Sequence, residues 1–350
     1  MNKSRFDYID IAKGLGILAV VWAHIMLVGW SHEIIYAFHM PFFFFVAGML
    51  FKREKFASFG DFMKKRSKRL LVPYFIYAIG SYILWAGLKY VSHEPWEVIL
   101  KPLPQILIAQ GSGRFMSFNS ALWFIPCLFV VEIIYFFKSS KDWLNLLLTL
   151  LCAALSFVLG AIYGDKYWLL LPFNFDAVLI ALPFYCLGNI LVKNFSHATI
   201  SHTASNHKIA NTILWIVSTI LLYILSTNFG VCSMGSSSYQ CNGFIFIVRA
   251  LVGIVAMISF SLILSELLNA RWSRCLLWLK TSLTWLGRYS LDVMSLHIPV
   301  KGIVIMLLAT VLSMSSDVIS SNFSISLVVL GITLLVIVPI ILVVNRILKR

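Results

Sequence analysis

Long apolar stretches, each bounded by a short polar cluster, recur along the whole of this 350-residue chain. They place ten membrane-crossing helices near residues 13–30, 34–51, 70–91, 121–137, 143–162, 175–192, 209–227, 243–265, 291–313 and 325–345. Each is close to the roughly 20 apolar residues that a helix needs to span a bilayer. The expected fold is all-α: a polytopic membrane protein forming a single membrane-embedded domain over residues 1–350, with no appended soluble domain. The first run is flanked by Asp10 and Lys13 and is followed by no small-residue cleavage site, so the N-terminus is expected to stay on the chain.

Composition agrees, with 60% hydrophobic against 12% charged residues. That is too little charge to clothe a water-facing surface, which excludes a soluble enzyme, a secreted disulfide scaffold and a disordered tail. The net charge of +14 would suit nucleic acid only on a soluble basic face, so no nucleic-acid partner is expected. Of the 28 Lys and Arg residues, 22 fall in the termini and alternate loops on one side, and Lys89, Lys101, Arg114 and Lys166 fall on the other. Arg249 and Lys301 lie inside predicted helices. The positive-inside rule then puts both termini in the cytoplasm.

Cys127, Cys152 and Cys186 lie in predicted helices and Cys275 in a cytoplasmic loop, where a thiol acts as a small apolar group. Cys232 and Cys241 bracket an external loop, where an oxidising compartment would let them pair. The longest external segment, 92–120, is of a length that is usually functional or disordered.

In lipid the informative residues are the ionisable ones, because each must face a partner or a wet cavity. Lys13 and His24 are eleven positions apart on the first helix. At about 100° per residue this returns to within roughly 20° of the same face, about 16 Å further along. The bland alternative is a snorkelling lysine and a packed histidine. If the chain reverses at Ser31–Glu33, His39 returns at nearly the depth of His24, so two histidines able to exchange protons share one level. A metal pair is the rival, but no intramembrane Asp, Glu or Cys is obviously placed to complete a ligand set, so no metal is expected.

Lys64-Lys65-Arg66-Ser67-Lys68-Arg69 follows the second helix. Such a cluster can serve simply to anchor the helix against anionic lipid head groups. Alternatively Arg66 and Arg69, at i and i+3, offer two guanidinium forks to one phosphorylated group. Glu132, Arg249, Asp292 and Lys301 are further intramembrane charges. His297 and Lys301 share a helix face and can line a cavity or pair with Glu132 or Asp292. His197, His202 and His207 read as a solvated cytoplasmic loop, and Gly14-x-Gly16 as a close helix contact.

Several stretches resemble the acyltransferase 3 family of integral membrane acyltransferases. They are Arg5-Phe6-Asp7-Tyr8-Ile9-Asp10-Ile11-Ala12-Lys13-Gly14, the basic-x10-His spacing of Lys13 and His24, Phe38-His39-Met40-Pro41-Phe42-Phe43-Phe44, Ala47-Gly48 and Arg66-x-x-Arg69-Leu-Leu-Val-Pro. Leu122-Trp123-Phe124-Ile125, Leu286-Gly287-Arg288-Tyr289-Ser290-Leu291 and His297-Ile298-Pro299 agree more loosely. The N-terminal part is most similar to the fucose 4-O-acetylase-like group. The resemblance implies a bacterial inner-membrane O-acetyltransferase that moves an acetyl group from cytoplasmic acetyl-CoA to an extracytoplasmic carbohydrate or lipid-linked glycan. It implies that Arg66, Arg69 and Lys13 hold the CoA phosphates and that His24 is catalytic. The expectation for His39 is that it orients the site or binds the acceptor, and Asp10 can pair with Lys13. Trp123, Glu132 and His297 are expected in supporting roles. A multi-pass transporter or flippase for a glycan or lipid-linked intermediate is the alternative, since it too would use buried histidines and cations.

Overall fold

With no water inside a bilayer, the chain must pair its own backbone groups, and apolar runs of this length do so as helices. The computed structural model describes residues 6–27, 29–111, 116–163, 172–230, 232–235, 238–239, 242–269 and 276–347. Their helices are α1 (Asp7–Ile25), α2 (Trp30–Leu50), α3 (Phe59–Arg66), α4 (Val72–Val91), α5 (Trp96–Leu100), α6 (Gln105–Ile108), α7 (Phe124–Phe136), α8 (Asp142–Tyr163), α9 (Phe175–Asn194), α10 (His197–Asn206), α11 (Lys208–Asn228), α12 (Gly243–Asn269), α13 (Leu277–Arg288), α14 (Ser290–Leu312), α15 (Ser316–Ser321) and α16 (Phe323–Ile347). A two-residue ladder pairs Cys232 with Tyr239 and Ser233 with Ser238. Among the described residues nine helices are long and apolar enough to cross a membrane, α3 and α4 counting as one. The shorter helix Ser120–Phe136 stands where the fourth of the ten predicted crossings was placed. The protein is an all-α, multi-pass membrane protein.

The centre of the bundle is α1, α2 and α9, most of whose apolar stretch is buried, while α8, α11 and α16 keep most of theirs outward. Small residues let the central helices touch. A Cβ on Gly48 would overlap the Tyr185 carbonyl, and one on Gly188 would overlap the Phe45 carbonyl. The Asn189 amide then donates to the Gly48 and Phe51 carbonyls at 3.2 and 3.0 Å, closing the end of α2 onto α9. Gly14 meets the backbone of Leu283 and Gly287 that of Asp10, so α13 lies directly against the start of α1. The close contact read for Gly14-x-Gly16 is thus present, with Gly16 against Phe42 and Phe43.

Three regions differ from the sequence expectation. The reversal after α1 falls before Trp30 rather than at Ser31–Glu33. Gly29, at φ +98°, makes the turn, and its carbonyl accepts from the amides of His32 and Glu33, so that polar cluster is the first turn of α2. The 92–120 segment is packed where it is described: Tyr74 and Tyr82 hydroxyls donate to the Ile106 and Ile99 carbonyls at 2.7 and 3.0 Å. The residues 197–206, read as a solvated loop, form α10. His197 is buried and accepts a 2.8 Å hydrogen bond at Nδ1 from the Tyr8 hydroxyl, while His202 and His207 are exposed. Cys241, Cys275 and Arg114 lie outside the described residues, as does the side chain of Cys232, and with them the expected disulfide.

Burial lowers the His197 imidazole below its ordinary value near 6.5. A histidine depressed in this way stabilises the fold above its unfolded value and loses that contribution as pH falls. Protonation also puts a hydrogen on the nitrogen that accepts from Tyr8. In detergent, thermal unfolding of the wild type should therefore fall more steeply between pH 7 and pH 5 than that of His197→Gln. Parallel curves would show that this histidine does not set the slope.

Candidate functional site

Two cavities lie end to end inside the bundle. The first, of about 110 Å³, opens among Lys13, Arg66, Arg69 and Arg288, with Glu132 the acidic residue on its wall and Phe43, Phe124, Leu128 and Met294 at its apolar side. The second, of about 210 Å³, is lined by His24, Tyr36, His39, Trp123 and, from the other loops, Gly111, Ser233 and Gly235. Met294 of α14 lines both. The face shared by Lys13 and His24 thus joins a cationic chamber to a histidine-lined one.

The cationic chamber depends on an irregular backbone. Residues Ser67–Leu71 form a π-helical turn in which the Ser67 carbonyl accepts from the Val72 amide. Pro73 cannot donate to the Arg69 carbonyl four residues before it and would crowd it in a regular helix. The wider turn relieves that conflict, and π-bulges recur at functional sites for such reasons. It also alters the i, i+3 geometry expected of Arg66 and Arg69, yet both line the same chamber. Arg66 is buried, its Nε 3.0 Å from Glu132 and its guanidinium over the Phe56 ring. Glu132 is therefore the counter-ion of Arg66, a pairing not anticipated from sequence. Lys13 approaches Asp10 at 3.4 Å as expected for i, i+3, and the far oxygen of Asp10 lies 3.7 Å from Arg288.

In the second chamber the histidines are individually oriented. His39 Nδ1–H donates to the Ile35 carbonyl at 2.7 Å, which leaves Nε2 as the basic nitrogen. Because the reversal comes early, His24 sits in the last turn of α1 while His39 is nine residues into α2, about 13 Å along its axis. They do not meet at one level as expected. Tyr36 stands between them, its ring centroid 6.1 Å from His24 and 4.9 Å from His39. The histidine nearest His24 is instead His297, with ring centroids 5.0 Å apart. His297 Nδ1–H donates to the Met294 carbonyl at 2.7 Å, and its Nε2 has no hydrogen-bond partner among the described residues. Lys301, one turn further along α14, donates to the His24 carbonyl and so ties the end of α1 to α14.

Trp123 closes the outer side of this chamber. A Cβ on Gly111 or Gly235 would overlap its indole, and Asn174 clasps the same two loops by accepting from the Gly111 amide at 2.6 Å and donating to the Gly235 carbonyl at 3.0 Å. The other intramembrane charges are held structurally: Asp292 accepts from the Tyr77 hydroxyl at 2.6 Å, and Arg249 donates to the Gly230 carbonyl at 2.8 Å. Among the described residues no group of three His, Cys, Asp or Glu side chains could hold a metal ion.

Sequence reasoning thus placed Lys13, Arg66, Arg69, His24, His39 and Trp123 on the cavity walls. It did not single out Arg288, Tyr36 or Met294. The Gly287-Arg288 pair carried the one available signal, since a glycine in an otherwise helical stretch marks a close backbone approach.

Chemically, the arrangement offers a cationic pocket for an anionic group at one end, an apolar throat, and imidazole nitrogens beside a second pocket at the other. The family model described as an acyltransferase domain, that of the acyltransferase 3 family, matches residues 6–344. No curated protein and no solved structure matches the chain.

Proposed function

The chain belongs to the acyltransferase 3 family of membrane acyltransferases, and from this we propose that it transfers an acetyl group from cytoplasmic acetyl-CoA to a hydroxyl of an extracytoplasmic carbohydrate. The acceptor is a surface polysaccharide such as O-antigen or capsule, or its lipid-linked precursor, at a bacterial inner membrane. The observation that carries this reading is the pair of chambers meeting at Met294, cationic on one side and histidine-lined on the other. The 22 cations on the terminal side support a cytoplasmic position for the cationic chamber. Phosphates held there by Lys13, Arg66 and Arg69 would direct the pantetheine arm along the Phe43 and Phe124 wall toward Met294.

The acceptor hydroxyl lies in the second chamber against His24, which takes its proton as the oxygen attacks the thioester carbonyl. The carbon–sulfur bond then breaks, the CoA sulfur leaves as a thiolate, and the proton passes from His24 to bulk solvent or to that sulfur. His39, fixed by Ile35, and Tyr36 orient the acceptor, and Trp123 gives it an aromatic wall. The competing transport reading would require no acyl donor. Membranes containing the protein, supplied with acetyl-labelled CoA, are expected to pass label to glycan. Uptake or flipping of the glycan with no label transferred would overturn the proposal.

A further inference from the structure

Arg288 is the cation on the first chamber that has no part in the sequence motifs for phosphate binding. We propose that Arg288, with the N-terminus of α14, reads the 3′-phosphate of coenzyme A, and so selects CoA thioesters over carriers that lack this group. The inference rests on the acyl-CoA donor proposed above.

Four observations carry it. The cations of the chamber differ in depth: the side chains of Lys13 and Arg66 are 17% and 11% exposed, whereas Arg69 is exposed and the side chain of Arg288 is 46% exposed. In coenzyme A the 3′-phosphate lies on the nucleotide, at the opposite end from the thioester. A donor whose thioester points toward Met294 and His24 therefore leaves that phosphate at the exposed end, where Arg288 stands with Arg69, the residue already assigned to the other phosphates.

The charges are compensated unequally. Glu132 is 3.0 Å from Arg66, while among the described residues Arg288 has a single carboxylate neighbour, Asp10, at 3.7 Å and shared with Lys13. A guanidinium with its fork open suits a dianionic phosphomonoester, which accepts two parallel hydrogen bonds.

Helix α14 begins two residues later, and Ser290 and Leu291 of its first turn line the same chamber. Its N-cap residue, Tyr289, makes no side-chain cap, and Asp292 stands in the first turn. The dipole of this 23-residue helix adds to the attraction of Arg288 for an anion. Finally, Arg288 is held in place by backbone contact, because Gly287 packs on the Asp10 carbonyl with no room for a Cβ.

The test compares binding of CoA and 3′-dephospho-CoA to the purified full-length protein. The wild type should bind CoA at least tenfold more tightly. Arg288→Gln should weaken CoA by roughly 10- to 150-fold, the range for a hydrogen bond to a charged group, and leave 3′-dephospho-CoA within about twofold, bringing the ratio close to one. Retained 3′-dephospho-CoA binding doubles as the check that the variant is folded. Adenosine 3′,5′-bisphosphate should also compete with CoA better than ADP does on the wild type, which needs no variant. A variant that keeps the wild-type ratio, or a wild type that binds both forms equally, would overturn the assignment to Arg288 while leaving the donor reading intact. A wild type that binds neither would overturn both.

Discussion

His24→Ala is expected to lower acetyl transfer by about 10²- to 10⁴-fold, the usual cost of removing a general base, while the protein still inserts and binds CoA. The fold should tolerate the change because the hydrogen bond that ties this end of α1 to α14 uses the His24 backbone. Lys301 donates to the His24 carbonyl, which alanine keeps. What is lost is an imidazole on the wall of the outer chamber beside Tyr36 and His297. Neither neighbour can substitute without movement, since the nearest imidazole, His297, is anchored through Nδ1 to Met294. Label transfer from acetyl-CoA, set against CoA binding by the same preparation, separates the two effects. A His24→Ala protein that transfers at the wild-type rate would remove His24 from the chemistry.

Gly48→Leu should have the largest effect on assembly. Gly48 and Gly188 let α2 and α9 meet backbone to backbone, and any side chain at Gly48 would collide with the Tyr185 carbonyl. Separating the helices also breaks the Asn189 bridge to Gly48 and Phe51. Overpacking alone costs about 1–3 kcal/mol, and here the obstacle is backbone, which cannot rotate aside. The expected result is loss of the monodisperse peak on size exclusion and of CoA binding together. Gly80→Ala on α4, where a Cβ meets nothing within 4 Å, is the control and should be neutral or slightly stabilising. Equal behaviour of the two variants would show that the α2–α9 contact is looser than its geometry.

The contrast between these sites explains what could be read from sequence. The Lys13–His24 face was legible because it depends on one straight helix and a fixed angle per residue. The crossings were legible because bilayer thickness sets the length of an apolar run. The turn after α1 was misplaced because Ser31, His32 and Glu33 look like a polar loop, whereas Gly29 alone supplies the positive φ and the polar residues serve as the first helical turn. Arg288 entered the sequence reading only within the looser resemblance at 286–291 and was given no role, because α13 is a short helix in a charged stretch. Its place in the chamber follows from backbone contacts at Gly14 and Gly287, which hydropathy does not register. The meeting of His24 with His297 joins the first crossing to a late one, and no local pattern encodes that pairing.

Met294 lies on the wall of both chambers, where the cationic and the histidine-lined one adjoin. A membrane holding a potential of 100 mV drives each elementary charge with about 2.3 kcal/mol, so an unbroken wet passage would drain the gradient the cell lives on. A thioether on an otherwise apolar throat can bend around a thin pantetheine arm and offers a hydrated ion almost nothing to bind. In the proposed reaction the group being moved is uncharged, and so the chemistry would reach across the bilayer while the membrane stays electrically sealed.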